Sequence, residues 1–121
     1  MRAADLLLVT SGTATLEGAL LGTPMVVGYR VSKLTEWMGR LLVRIPWISL
    51  ANITVGRAVV PELIGAAATG AGLAREALRL LGDPGALAAQ RAAFGELTGA
   101  LGEQGVGERA ARLILAAAAR A

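Results

Sequence analysis

The chain contains no cysteine and no histidine. Disulfides, thiol nucleophiles, Cys/His metal sites and imidazole bases are thereby excluded. The lack of cysteine suits a reducing compartment without requiring one. Aromatic residues are scarce, at 3% of the 121 residues. The core must therefore be built from aliphatic and small side chains. Lysine occurs once, at position 33, and every other cation is an arginine. Twelve cations against nine acids leave a net charge of +3 with no basic run. That excess argues against nucleic acid as a partner and fits an anionic small ligand or an anionic membrane surface. No uncharged apolar stretch reaches the roughly 18 residues needed to span a bilayer. Asp5 interrupts the N-terminal apolar pattern, so no signal peptide is expected.

Apolar residues make up 55% of the chain, which demands extensive burial and excludes disorder. The length fits one small domain, not two lobes with a cleft between them. Leu6–Thr10 and Met25–Tyr29 are continuous apolar runs, expected as strands buried on both faces. Between them, Ser11-Gly12-Thr13 breaks the pattern and Ala14–Leu21 reads as a short helix stopped by Gly22. Strand, helix and strand predict a βαβ unit with parallel strands.

Residues 33–45 follow as an amphipathic helix, with Leu34, Trp37, Met38 and Leu41 on one face and Lys33, Arg40 and Arg44 on another. Pro46 ends it. Trp47–Leu50 reads as a third strand and Ala51–Arg57 as a loop. Val59–Ile64 reads as a short helix with Pro61 in its first turn. Three helices are expected over Leu73–Leu81, Ala86–Leu101 and Val106–Ala119. The expected fold is α/β, a Rossmann-like parallel sheet flanked by helices. It divides into residues 1–72, an α/β part, and residues 73–121, a helical tail.

The sharpest local feature is Thr10-Ser11-Gly12-Thr13-Ala14-Thr15-Leu16-Glu17. It joins a buried strand to a helix N-terminus, where free amides and the helix dipole gather an anion, usually a phosphate. The bland alternative is an ordinary capped helix. Glu17 does not complete a capping box, because position 14 is alanine. A carboxylate one turn beyond a phosphate can instead accept hydrogen bonds from a ribose diol. A second cluster, Ser49-Leu50-Ala51-Asn52 through Gly56-Arg57, is expected on the same rim of the sheet. Asn52 could meet a base edge, a sugar hydroxyl or a phosphate, and Arg57 could neutralise a diphosphate. The competing reading is a turn. The basic face of the 33–45 helix, with Trp47 beyond it, could rest on anionic lipid. It could equally be a solvated helix face.

Ser11–Glu17 (SGTATLE), Thr23–Thr35 (TPMVVGYRVSKLT), Arg40–Asn52 (RLLVRIPWISLAN) and Gly56–Leu63 (GRAVVPEL) together resemble lipid-A-disaccharide synthase, in the order that family shows them. The sequence departs from the usual family pattern at Ala51, Ala58 and Ile64-Gly65. The resemblance implies the C-terminal, donor-binding part of a two-lobed glycosyltransferase of the B type. Such an enzyme transfers a diacylated glucosamine from UDP to a diacylated glucosamine 1-phosphate. It implies that Ser11, Gly12, Thr13 and Glu17 hold the diphosphate and ribose. Asn52 and Arg57 would face the donor, Asn52 also being the one catalytic candidate. Lys33, Trp37, Arg40, Arg44 and Trp47 are the expected membrane contacts. No cofactor or metal is expected. The expected partners are a UDP-sugar lipid donor, a lipid acceptor held by an N-terminal lobe outside these residues, and the membrane surface; homo-oligomerisation is left open. The expected location is the inner face of the cytoplasmic membrane, and the chain alone is expected to be inactive. Two alternatives stand beside this reading: the donor lobe of another UDP-sugar transferase, and a nucleotide-binding or membrane-docking module without catalysis.

Overall fold

The computed structural model describes residues 1–30, 47–101 and 105–119. Their elements are β1 (Leu7–Val9), α1 (Thr13–Leu20), β2 (Met25–Tyr29), α2 (Leu50–Val55), β3 (Glu62–Ile64), a 3-10 turn (Gly65–Ala67), α3 (Gly70–Leu81), α4 (Pro84–Ala100) and α5 (Val106–Ala118). The helix expected over residues 33–45 lies outside the described residues, and with it Lys33, Trp37, Arg40 and Arg44.

The three strands form one sheet in the order β1-β2-β3. Both pairings are parallel, Leu7 facing Met25 and Val27 facing Glu62. This is a Rossmann-like α/β arrangement, with helices on both faces of a parallel sheet. Met25 and Val27 alternate with Val26 and Gly28, so they point to opposite faces. Met25 and Val27 enter a core with Ala19 of α1, Ala51 of α2, and Phe94 and Leu97 of α4. On the other face, α3 lies so close to β2 that a Cβ on Gly28 would come within 2.9 Å of the Leu73 side chain. The core is small-residue packing around one large ring, as the composition requires.

Close approach on the first face depends on Gly18. A Cβ there would sit 2.7 Å from Met25 Cε and 2.9 Å from Leu7 Cδ1. Helix α1 can therefore lie directly on β1 and β2. A second device fixes α4. The buried Gln90 side chain accepts from the Met25 amide at 2.9 Å and donates to the Met25 carbonyl at 3.3 Å. A side-chain amide thus satisfies both backbone groups at the start of β2, as a neighbouring strand would. Replacing Gln90 with alanine leaves a buried N–H without an acceptor, which should cost about 1–3 kcal/mol. A urea titration should show a lower midpoint with an unchanged slope; an unchanged midpoint would show that water replaces the amide.

Several sequence expectations need correction. Strand β1 is not buried on both faces: Leu8 is 56% exposed. Among the described residues it is an edge strand, and α3 packs against β2. Trp47–Leu50 is not a strand; it leads into α2, which occupies most of the segment expected as a loop. Val59–Ile64 is not a helix, because Glu62–Ile64 pairs with β2. Pro61 just before that strand needs no N–H, and its carbonyl accepts from Val27 at 2.9 Å. Helix α3 spans Gly70–Leu81, and α4 contributes Phe94 and Leu97 to the same core as the sheet. Only α5, among the described helices, has no buried residue.

Candidate functional site: a rim of helix starts

Parallel strands bring the starts of the following helices to one rim, the C-terminal edge of the sheet. Helix α1 follows β1 there, and α3 follows β3. The start of α2 is drawn to the same rim, because the Ser11 hydroxyl donates to the Ile48 carbonyl at 2.6 Å. One opening amide of α2 and one of α3 are each answered by a side-chain cap. Ser49 Oγ accepts from the Asn52 amide at 3.2 Å, and Thr69 Oγ1 accepts from the Gly72 amide at 3.0 Å.

Helix α1 differs. Its N-cap is Gly12, with no side-chain cap. Gly12 adopts φ 141° and ψ −164°, a region essentially confined to glycine. The amide of Thr15 turns back to the Gly12 carbonyl at 3.1 Å, and the buried Thr15 hydroxyl donates to the same oxygen at 2.7 Å. Thr13 and Ala14 open the helix, where amides have no intrahelical acceptor. Thr13 and Glu17 are both exposed, and a four-residue separation puts them one turn apart on one side of α1. Ser11, Gly12, Thr13 and Glu17 therefore share one end of one helix. The Ser11 proton, however, is already given to Ile48, so its hydroxyl can only accept further bonds.

Asn52 and Arg57 stand elsewhere. Asn52 is fully buried. Its Oδ1 accepts from the amides of Val59 and Val60 at 2.7 and 2.8 Å. Its Nδ2 donates to the Val60 carbonyl at 2.9 Å and to Glu62 Oε1 at 2.7 Å. Asn52 thus spends its side-chain amide on folding the 59–62 segment against α2. Arg57 precedes β3, so it lies at the opposite rim from Ser11, which corrects the expectation of a shared rim. It makes a two-pronged pair with Glu96 of α4, both bonds at 2.9 Å. A depression of about 470 Å³ near it is lined by Arg57, Val60, Glu76, Arg79 and Gln90. Its charges are already paired, Arg57 with Glu96 and Arg79 with Glu76. There the Arg79 side chain hydrogen-bonds Glu76 and, with its charge, holds that carboxyl below the usual range against the opposing effect of burial. Trp47 is half-buried and sits next to Ile48 at the Ser11 rim.

One residue of this region escaped the sequence reading. Glu62 Oε2 accepts from the Ile48 amide at 2.8 Å, and its Oε1 accepts from the Ser49 amide at 3.0 Å besides Asn52. A lone carboxylate inside the apolar run Val59–Ile64 was the available signal.

The family model for lipid-A-disaccharide synthetase matches residues 1–115. The chain belongs to this family. The lipid-A-disaccharide synthase of Syntrophus aciditrophicus is 47% identical over 113 residues, covering 93% of this chain and 30% of that protein. That of Chromobacterium violaceum is 48% identical over 115 residues, 95% of this chain and 30% of the other. That of Solibacter usitatus reaches 56% over 81 residues, 67% of this chain and 21% of the other. The chain thus spans about 30% or less of the length of these curated relatives. Within the lipid-A-disaccharide synthetase match lie the Ser11–Glu17 loop, Asn52, Arg57 and Glu62 alike. Among the described residues no group of acidic side chains could hold a metal ion.

Proposed function

We propose that this chain is the UDP-sugar-binding part of a lipid-A-disaccharide synthase, which transfers a diacylated glucosamine from UDP to a diacylated glucosamine 1-phosphate. The carrying observation is the uncapped start of α1 behind Gly12 in a chain of this family. The diphosphate would accept hydrogen bonds from the opening amides of α1, at the positive end of its dipole. Glu17, one turn on, would accept from the ribose hydroxyls. An acceptor-holding lobe would come from sequence outside these residues, so the chain alone would not turn over. Because donor and acceptor are lipids, the parent enzyme would work against the cytoplasmic face of a membrane. No helix among the described residues is long and apolar enough to cross one.

Calorimetric titration of UDP and UMP into the chain tests this reading. Losing the ribose contacts in Glu17→Ala should remove about 1–3 kcal/mol. That is a fall in UDP affinity of about 5- to 150-fold. UMP, lacking one phosphate, should bind less tightly than UDP to the unaltered chain. Equal UDP affinity in both proteins would remove Glu17 from the site, and no UDP binding by the unaltered chain would overturn the reading itself.

A further inference from the structure

A glutamate that starts a strand and turns toward the core side of the sheet must recover the hydration it loses. Glu62 does so with three N–H donors: the amides of Ile48 and Ser49 and the side chain of Asn52. Two of these three donors belong to the segment that abuts the Ser11–Thr13 turn. Ile48 is held from both sides, its N–H by Glu62 at 2.8 Å and its carbonyl by the Ser11 hydroxyl at 2.6 Å. A short chain of two hydrogen bonds therefore runs from β3 through Ile48 to the residue just before Gly12.

We propose that Glu62 is a positioning residue for the anion-binding turn: it fixes Ile48, and through the Ser11–Ile48 bond it fixes the backbone of Ser11–Thr13 from which α1 starts. This rests on the reading of that turn as the diphosphate site. Glu62 itself touches no ligand. Its role is set by direction: Ser11 spends its proton on Ile48, so Ser11 contributes to the turn chiefly by where it holds the backbone. Gly12, having no side chain, adds only the two bonds its carbonyl accepts from Thr15.

The two accounts of Glu62 predict opposite signs. As a mere negative charge near an anion site, it would repel a diphosphate, and Glu62→Gln would bind UDP more tightly. As a positioning residue, its loss weakens binding. The glutamine is also selective in what it breaks. Its single oxygen can keep Ser49 and Asn52, which share Oε1. Its NH2 then faces the Ile48 amide, donor against donor, so the residue that loses its partner is the one bonded to Ser11.

Glu62→Gln, Ser11→Ala and the double variant of the 121-residue chain would be compared by UDP calorimetry below their melting temperatures. Amide hydrogen exchange over residues 11–16 would be followed in the same proteins without nucleotide. We expect Glu62→Gln to lose about tenfold in UDP affinity and to exchange faster across residues 12–15. The double variant should bind no more weakly than the weaker single one, since both act through Ile48. Unchanged or tighter UDP binding by Glu62→Gln, or effects that multiply in the double variant, would overturn the proposal. If Glu62→Gln does not fold, Ser11→Ala decides by the same exchange measurement: slow exchange like the parent's would overturn it. If the parent chain binds no UDP, the reading of the site falls, and the exchange data still decide whether Glu62 orders the turn.

Discussion

Replacing Asn52 with leucine should lower stability by about 2–6 kcal/mol, because the amides of Val59 and Val60 each lose their acceptor at about 1–3 kcal/mol. Both amides bond Asn52 Oδ1 within 2.8 Å, and Asn52 and Val60 are buried. Against a usual domain stability of about 5–15 kcal/mol, that loss is large. It should appear as a fall of at least about 4 °C in the melting temperature, at about 2–8 °C per kcal/mol. Asn52→Asp separates the two halves of the interaction. It keeps an acceptor for Val59 and Val60 but sets a carboxylate against Glu62 Oε1, where the amide now donates at 2.7 Å. Two carboxylates so close bind a proton more readily than either would alone. The pair's folded-state pKa is then raised, so the stability it retains is present at low pH and lost as pH rises through that value. Asn52→Asp should therefore melt closer to the parent chain at acid pH than at neutral pH. A gap that widens on acidification would show that Asn52 and Glu62 are not coupled.

Phe94→Ala should remove about 3–5 kcal/mol, near the upper end of that range for a ring so placed. Phe94 is 2% exposed, and the core around it holds Ala19, Ala51, Val27 and Leu97. The two alanines have no side-chain length with which to fill the space. The cavity should therefore stay largely open, and cavity volume is what raises the cost. A urea titration at fixed slope reads this directly; Phe94→Leu should recover most of the loss. A Phe94→Ala midpoint close to the parent's would mean that α4 shifts inward, and a changed slope would locate the effect in the unfolded chain.

Where local pattern and tertiary partner agreed, the fold was legible. Met25–Tyr29 is a strand with the bounds expected, and Gly12 marks the start of α1 as the break in the apolar run suggested. Legibility failed where a segment's partners are distant. Asn52 four residues before Gly56 reads as a turn or a ligand contact, and nothing within a few residues shows that it closes the chain back on Val59 and Val60. Pro61 fits the first turn of a helix as well as the entry to an edge strand; pairing with β2 decides, and β2 ends 32 residues earlier. Arg57 was placed on the wrong rim because α2 was read as a loop. A helix there carries the chain from one edge of the sheet to the other. At the anion turn the sequence named the residues, but it could not show that Ser11 is bonded to Ile48 or that Glu62 stands behind both.

The bond between Gln90 and Met25 spans 65 residues. It ties the folding of the sheet to the order of synthesis. While a ribosome makes this chain, the first amide of β2 emerges with no strand-like partner and waits for α4 to appear. At about 5–20 residues per second that interval is about 3–13 s. During it β1 and β2 have their sequences complete but not their anchor. Until then β1 and β2 can pair but lack the contribution of Gln90, and the half-made domain is the state in which chaperones or a wrong partner would meet it.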